Sequence, residues 1–347
     1  MYFHRPFNSF ISFAGALLAC LAGFTIRPDS ANAHGFAGDR FFPATLTTDD
    51  PFVADELSLP TLSTIRTPDD GGTREFDVSI DISKRITPYL DLELGWDEVN
   101  LFPREGANKT GLSNLELGSK FQFYTNAPHE FIMSLGLDIN VGGTGSRQVG
   151  RDPFTTWSPG LFFGKGFGDL PPSLPWLRPF ALTGNVSVDI PSSAKTRSFG
   201  GVDPTTGMRD VEVDKNAASV ETDFALEYSL IYLQEHVKNV GLKAPFDRLI
   251  PMVEAVIDTP VDRGQGGLTT GSINPGVVWS GQYCQLGAEA LIPMNHRSGT
   301  NVSVLVQMHF YLDDIFPKVF RPLFNGGATV ASSSPANSSA AANSTGK

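Results

Sequence analysis

Cysteine is nearly absent from this sequence, Cys20 and Cys284 being the only two. A disulfide framework is therefore excluded, whatever the redox compartment. Long apolar runs are missing too. After residue 33 no uninterrupted apolar stretch reaches the roughly 18 residues that a bilayer-crossing helix needs, which excludes a helical membrane protein. Positive charge is in deficit, with 26 Lys and Arg against 37 Asp and Glu and a net charge of −11. That balance excludes a nucleic-acid binder with a basic footprint. His4, His34, His129, His236, His296 and His309 include no His-x-His or His-x-x-x-His pair, so no metal site is expected. No serine sits in a Gly-x-Ser-x-Gly turn. Gly142-Gly143-Thr144-Gly145 opens a polar loop rather than a helix and makes no phosphate cradle. Neither cofactor nor catalytic residue is expected.

What the chain does have begins with a leader. His4 and Arg5 precede an apolar run from Phe10 to Ile26, and a short polar stretch ends in Ala31-Asn32-Ala33, a small-x-small cleavage pattern. This order reads as a secretory signal peptide over 1–33, cleaved after Ala33 to leave His34 first. Leu17-Leu18-Ala19-Cys20 has the look of a lipoprotein signal, but Cys20 lies inside the apolar run and the better cleavage site follows it. The processed chain then holds Cys284 alone and forms no intrachain disulfide.

A two-residue alternation recurs through the rest in segments of about ten residues, the pattern of strands with one lipid face and one aqueous face. Phe76, Val78, Ile80 and Ile82 interleave with Asp77, Ser79, Asp81 and Ser83; Leu90, Leu92, Leu94 and Trp96 with Asp91, Glu93, Gly95 and Asp97. Equivalent segments follow at Leu115–Phe123, Phe131–Val141, Trp157–Phe163, Phe180–Ile190, Val220–Tyr232 and Val302–Leu312. Weaker ones lie at Arg248–Asp258, Ser272–Gly281 and Gln282–Pro293, and one at Leu57–Ile65 is interrupted by Pro60, which fits a strand end or bulge. Together they give twelve strands, an even number as single-chain bacterial barrels require. Connections alternate long and short: 100–111, 142–154, 191–216 and 259–271 outside; Thr87-Pro88, 125–129 and Gly281-Gln282, with longer 167–175 and 234–247, inside. The expected fold is an all-β, transmembrane, antiparallel up-and-down barrel over 57–313. A periplasmic segment, 34–56, precedes it, and a periplasmic tail, 314–347, disordered from about 326, follows. A soluble sandwich also alternates, but here one face is almost purely large apolar residues while the other carries carboxylates.

With the polar parity inward, Asp77, Asp81, Asp91, Glu93, Asp97, Glu116, Asp138, Asp189, Glu221, Asp223, Glu227, Glu254, Asp258 and Glu289 face the lumen against Arg85 and Lys120. A low-dielectric wall focuses the field of such a set and concentrates cations. The alternative is that these acids pair with Lys195, Arg197, Arg209 and Lys215 of an infolded loop. Trp96, Trp157, Tyr228, Tyr232, Trp279 and Phe310 fall at the apolar parity, where headgroup girdles sit, although packing explains them too. His309, beside Ser303 and Gln307, is the lumenal histidine on which a hydrolytic dyad would have to be built.

His34-Gly35-Phe36-Ala37-Gly38-Asp39-Arg40-Phe41-Phe42-Pro43 and Phe310-Tyr311-Leu312-Asp313-Asp314-Ile315-Phe316-Pro317 resemble the two ends of bacterial outer-membrane barrels grouped around a protein of the phenol meta-cleavage pathway. The resemblance implies a transporter for small, often aromatic or hydrophobic, organic compounds, and it carries no catalytic residues. The chain departs from a simple barrel ending, in which a C-terminal aromatic is read by the barrel-assembly machinery. Here about 30 residues follow, and both Phe316–Phe324 and the stretch 34–54 are candidates to fold back as a plug.

The expected function is an outer-membrane channel or facilitator for small organic solutes through an acidic lumen, with the lipid bilayer, the assembly machinery and the solute as partners and no nucleic acid. The alternatives are a plugged structural or binding barrel at the cell surface, or a lipid-modifying enzyme with a Ser or carboxylate hydrogen-bonded to His309 near the membrane boundary.

Overall fold

The computed structural model describes residues 35–67, 72–202 and 209–324. The leader with its cleavage site, the Cys20 lipidation alternative and the tail from 326 lie outside the described residues. The chain opens with two short paired strands, β1 (Phe36–Ala37) and β2 (Arg40–Phe41). Then come β3 (Glu56–Thr67), β4 (Thr73–Thr87), β5 (Leu90–Pro103), the short β6 (Lys109–Leu112), β7 (Leu115–Asn126), β8 (Phe131–Val141), β9 (Thr156–Gly166) and β10 (Phe180–Pro191). A hairpin, β11 (Lys195–Val202) and β12 (Arg209–Lys215), stands apart in the longest loop. The wall resumes with β13 (Ser219–Tyr228), β14 (Leu249–Pro260), β15 (Thr270–Ser280), β16 (Cys284–Pro293) and β17 (Ser303–Tyr311).

Twelve of these strands pair antiparallel with their neighbours, and β17 pairs with β3 to close the sheet. The result is the up-and-down barrel that the alternation demands. Large apolar residues point outward and stay exposed: Leu92, Leu94, Trp96, Phe121, Leu135, Trp157, Ile190, Leu226 and Val304 are all more than 40% accessible. The other parity is buried and polar, with Asp91, Lys120, Ser134, Thr183, Asn185, Glu227, Glu254 and Asn274 at 4% or less. A soluble protein does the reverse, so this inversion marks a wall whose outer face meets hydrocarbon.

Pro60 sits at an irregularity in β3, where the register slips between Ser58 and Thr61 against β4 and between Gln307 and His309 on β17. A bulge tolerates the missing N–H, and the extra residue restores the inward parity on both sides of it. The weak alternation of β14 also has a physical reason. Ile250 and Met252 point inward yet are apolar and buried, so at that end of the strand both faces are apolar.

One expectation needs correction. Tyr232 is not on the lipid face: β13 stops at Tyr228, Ser229 Oγ caps a helical turn by accepting the Tyr232 N–H at 3.1 Å, and the ring turns inward to 5% exposure.

The wall makes a quantitative demand. Leu135, in the middle of β8 and 52% exposed on the outside, should cost about 2–4 kcal/mol when changed to Arg at the bilayer midplane. Denaturant titration of the protein refolded in lipid vesicles reads this, and Leu135→Arg as stable as wild type would place that face in water.

Candidate functional site: an occupied acidic lumen

Residues 35–55, expected on the periplasmic side, contact the inward faces of β5, β7, β8, β14 and β16. Only a segment running inside the barrel can touch walls so far apart. It enters at the end of the barrel where β3 begins and β17 ends, and four kinds of contact hold it.

The first is Arg40, fully buried. Its Nε donates to Glu130 Oε2 at 3.2 Å, Nη1 donates to the Pro179 carbonyl at 3.0 Å and Nη2 to the Arg178 carbonyl. Its guanidinium lies 3.7 Å from the centroid of the Tyr232 ring, whose hydroxyl donates to Glu130 Oε1 at 2.9 Å. The planar fork satisfies two carbonyls and a carboxylate that burial would otherwise leave unpaired. Gly38, at φ +66°, brings the chain so close to the Ala127 carbonyl that a Cβ has no room.

The second is apolar: Phe42 and Phe52 pack on each other and with Ile132 and Ala181, while Leu46 packs with Met252, Val278 and Leu305. The third is Glu254, completely buried. Its carboxylate accepts the backbone N–H groups of Leu46 at 2.8 Å, Thr47 at 2.7 Å and Thr48 at 2.8 Å, and the Thr47 hydroxyl as well. Three convergent amides replace the hydration shell of a buried carboxylate. The fourth is Asp55, at the junction with β3, paired with Lys84 at 2.6 Å and Arg85 at 2.8 Å; Arg85 also reaches Asp313 at 2.8 Å. The segment after β17 closes over this joint, where the Phe324 N–H donates to the Ile86 carbonyl and Lys84 Nζ to the Arg321 carbonyl.

Above the plug lies a cavity of about 480 Å³. Its lining includes the plug residues Asp49 and Asp50 and the wall residues Glu56, Asp81, Asp91, Glu93, Glu116, Asp138, Glu221 and Asp223, with Lys120 the only lysine or arginine among them. Lys120 is already engaged, 2.9 Å from Asp49 and 3.4 Å from Glu93. Of the remaining sequence candidates, Glu227 accepts from Thr183, Asp189 from Ser158 and Ser219, and Asp77 from Ser63. Glu289 is buried beside β15. Asp97 and Asp258 lie on the inward parity, off the cavity lining. Arg85 and Glu254 belong to the plug joint. Lys195, Arg197, Arg209 and Lys215 are exposed on the β11–β12 hairpin rather than folded onto the acids.

His309 lines the same cavity. Its Nδ1 is 3.0 Å from Ser58 Oγ and its Nε2 is 3.3 Å from Glu56 Oε2. A serine and a carboxylate thus flank it, as a hydrolytic site requires, but the trio faces the lumen, where bilayer lipid does not reach. At the turn end Asp169 receives hydrogen bonds from His129 and Lys165. Although partial burial works the other way, these hold its carboxyl below the usual range.

Sequence reading missed the Arg40–Glu130–Tyr232 latch, and although alternation puts Asn185 on the inward face, it did not single that residue out. A solitary arginine between Phe36 and Phe42 was the available signal, since a charge in an aromatic run must find a buried partner.

No family model matches the chain. No curated protein matches it either. Solved structures match over most of its length. One is an outer membrane channel from Pseudomonas putida F1, at 9% identity and a TM-score of 0.48, covering 82% of this chain and 99% of that one. Another is the translocator domain of the autotransporter NalP from Neisseria meningitidis, at 12% and 0.41, covering 74% and 87%. A third is outer membrane phospholipase A from Escherichia coli, at 10% and 0.33, covering 81% and 96%. These likenesses are loose, and the barrel rests on its own strand ladder.

The Glu254 clamp can be tested directly. Glu254→Gln leaves one acceptor oxygen for three amides and should weaken the clamp by about 1.5–3 kcal/mol. Hydrogen exchange at Leu46, Thr47 and Thr48 should then quicken at least tenfold while the β-ladder amides stay protected. Unchanged exchange there would mean that the apolar contacts alone hold the plug.

Proposed function

We infer that the protein is an outer-membrane channel for passive passage of small organic solutes, closed at rest by its own N-terminal segment. One observation carries the reading: a chamber lined by carboxylates and amides sits above a plug that is separate from the wall ladder and anchored by side chains rather than by strand pairing. A plug built into the sheet could leave only by unzipping strands. This one leaves by breaking the Arg40 latch and the Glu254 clamp. The chamber lining favours polar solutes over the aromatic or hydrophobic class that the family resemblance implies.

The plug equally supports a second reading, a permanently closed barrel with a binding or structural role at the cell surface. Single-channel recording of the refolded protein in planar bilayers under a salt gradient separates the two. The expected result is rare, brief openings in the wild type and long-lived, cation-preferring openings in Arg40→Ala, because Glu130 is left buried without its cationic partner at a cost of about 3–5 kcal/mol. Changing Asp81, Glu93, Glu116 and Glu221 to their amides should remove that preference. Silence from folded Arg40→Ala, and from a chain lacking residues 35–54, would overturn the channel reading and leave the closed barrel.

A further inference from the structure

Ten carboxylates line the chamber against one lysine, and the chamber shows how it treats the ammonium it already contains. Lys120 reaches in from β7. Its Nζ lies 2.9 Å from Asp49 Oδ1, 3.4 Å from Glu93 Oε1 and 5.2 Å from the centroid of the Phe162 ring. Two carboxylates and an aromatic face make a cage for a primary ammonium, which gains from both the charges and the ring quadrupole. Farther towards the long loops, Asp81, Glu116, Asp138 and Glu221 line the same space with no lysine or arginine among the lining residues beside them.

A second observation is independent of charge. Asn185 and Gln307 line the chamber at 4% and 8% exposure, and Asn185 Oδ1 and Gln307 Oε1 have no hydrogen-bond partner. The Asn185 amide nitrogen serves Asp223. What remains at both positions is a buried carbonyl oxygen without a donor, a group that costs about 1–3 kcal/mol to leave unpaired. Both orphans are acceptors, as are the carboxylates, and Lys120 is the one lysine or arginine lining the space to meet them.

A metal ion meets the charge but not the geometry. Among the described residues no three His, Cys, Asp or Glu side chains converge to hold one. The acceptors are instead spread around a space of about 480 Å³, within the usual size of small-molecule sites, roughly 300–1,000 Å³. Dispersed acceptors suit a ligand with several N–H-bearing cationic groups joined by a flexible apolar chain. We propose that the chamber is a binding site for linear aliphatic di- or polyammonium ions, with Asp138, Glu221 and Asn185 taking the ammonium groups that Lys120 does not supply.

This names a solute class for the channel reading, and the test separates the two. Calorimetric titration of the folded full-length protein in detergent with spermidine requires no flux. At constant ionic strength spermidine should bind near one equivalent, while magnesium and the neutral 1,5-pentanediol give no saturable heat. Asp138→Asn with Glu221→Gln should weaken binding at least tenfold, and Asn185→Leu, which removes the orphan carbonyl without changing charge, about tenfold. Glu105→Gln, in an exposed loop outside the chamber, should match wild type. Each variant is first checked for the gel shift of a folded barrel; Asn185→Leu carries the test alone if the double variant fails it. Absence of saturable heat up to millimolar spermidine, magnesium binding as tightly, or unchanged binding in Asn185→Leu would overturn the site. A barrel that binds spermidine yet never conducts would keep the site and lose the channel; one that conducts without binding would do the opposite.

Discussion

In hydrocarbon a strand edge has no water to bond its N–H and C=O groups, and each group left open costs several kcal/mol. Closure of β17 onto β3 removes the last edge. Closure also creates an interior that side chains alone cannot fill. Eight strands leave a lumen that side chains just occupy, whereas twelve leave room for a chain segment and a chamber. The plug, the acidic chamber and the polar inward parity all follow from having closed the sheet at this size.

The interior divides along its length because the plug reaches only part of the way. Where it lies, wall positions are apolar or are matched to it, Ile132, Ala181, Met252, Val278 and Leu305 against Phe42, Phe52 and Leu46, and Glu254 against three amides. Beyond it the same parity carries acids. At the turn end the wall therefore meets the plug with apolar or matched positions, and towards the loops it carries acids. That division explains why the alternation fades in β14, whose first half packs its inward Met252 against the plug residue Leu46.

The barrel was legible because lipid imposes one rule on every strand: the outward parity must be large and apolar from Phe76 through Phe310. Strand number, direction and inward parity follow from that local rule. The site was legible only as far as parity reaches. Asp81, Glu93, Glu116, Asp138 and Glu221 could be assigned to the interior, but their sharing of one chamber, with Glu254 and Arg85 holding a plug instead, depends on where residues 35–55 lie. Tyr232 shows the limit from the other side. Its parity continues that of Tyr228, but Ser229 ends the strand by capping a turn, and three residues later parity no longer means outward.

Release of the plug is constrained by the chemistry of its anchors. The apolar contacts of Phe42, Phe52 and Leu46 weaken gradually as they separate, but the Arg40 and Glu254 contacts do not. Each is a buried charge held by several partners at once, and losing some of those partners leaves the charge dry and uncompensated. A half-withdrawn plug is thus worse than either a seated plug or one far enough out for water to reach Glu254 and Glu130. The wall around it is a rigid ladder that cannot yield to soften the transition. For the proposed channel, the charges that hold the plug therefore favour two discrete states, seated and withdrawn, over a graded opening.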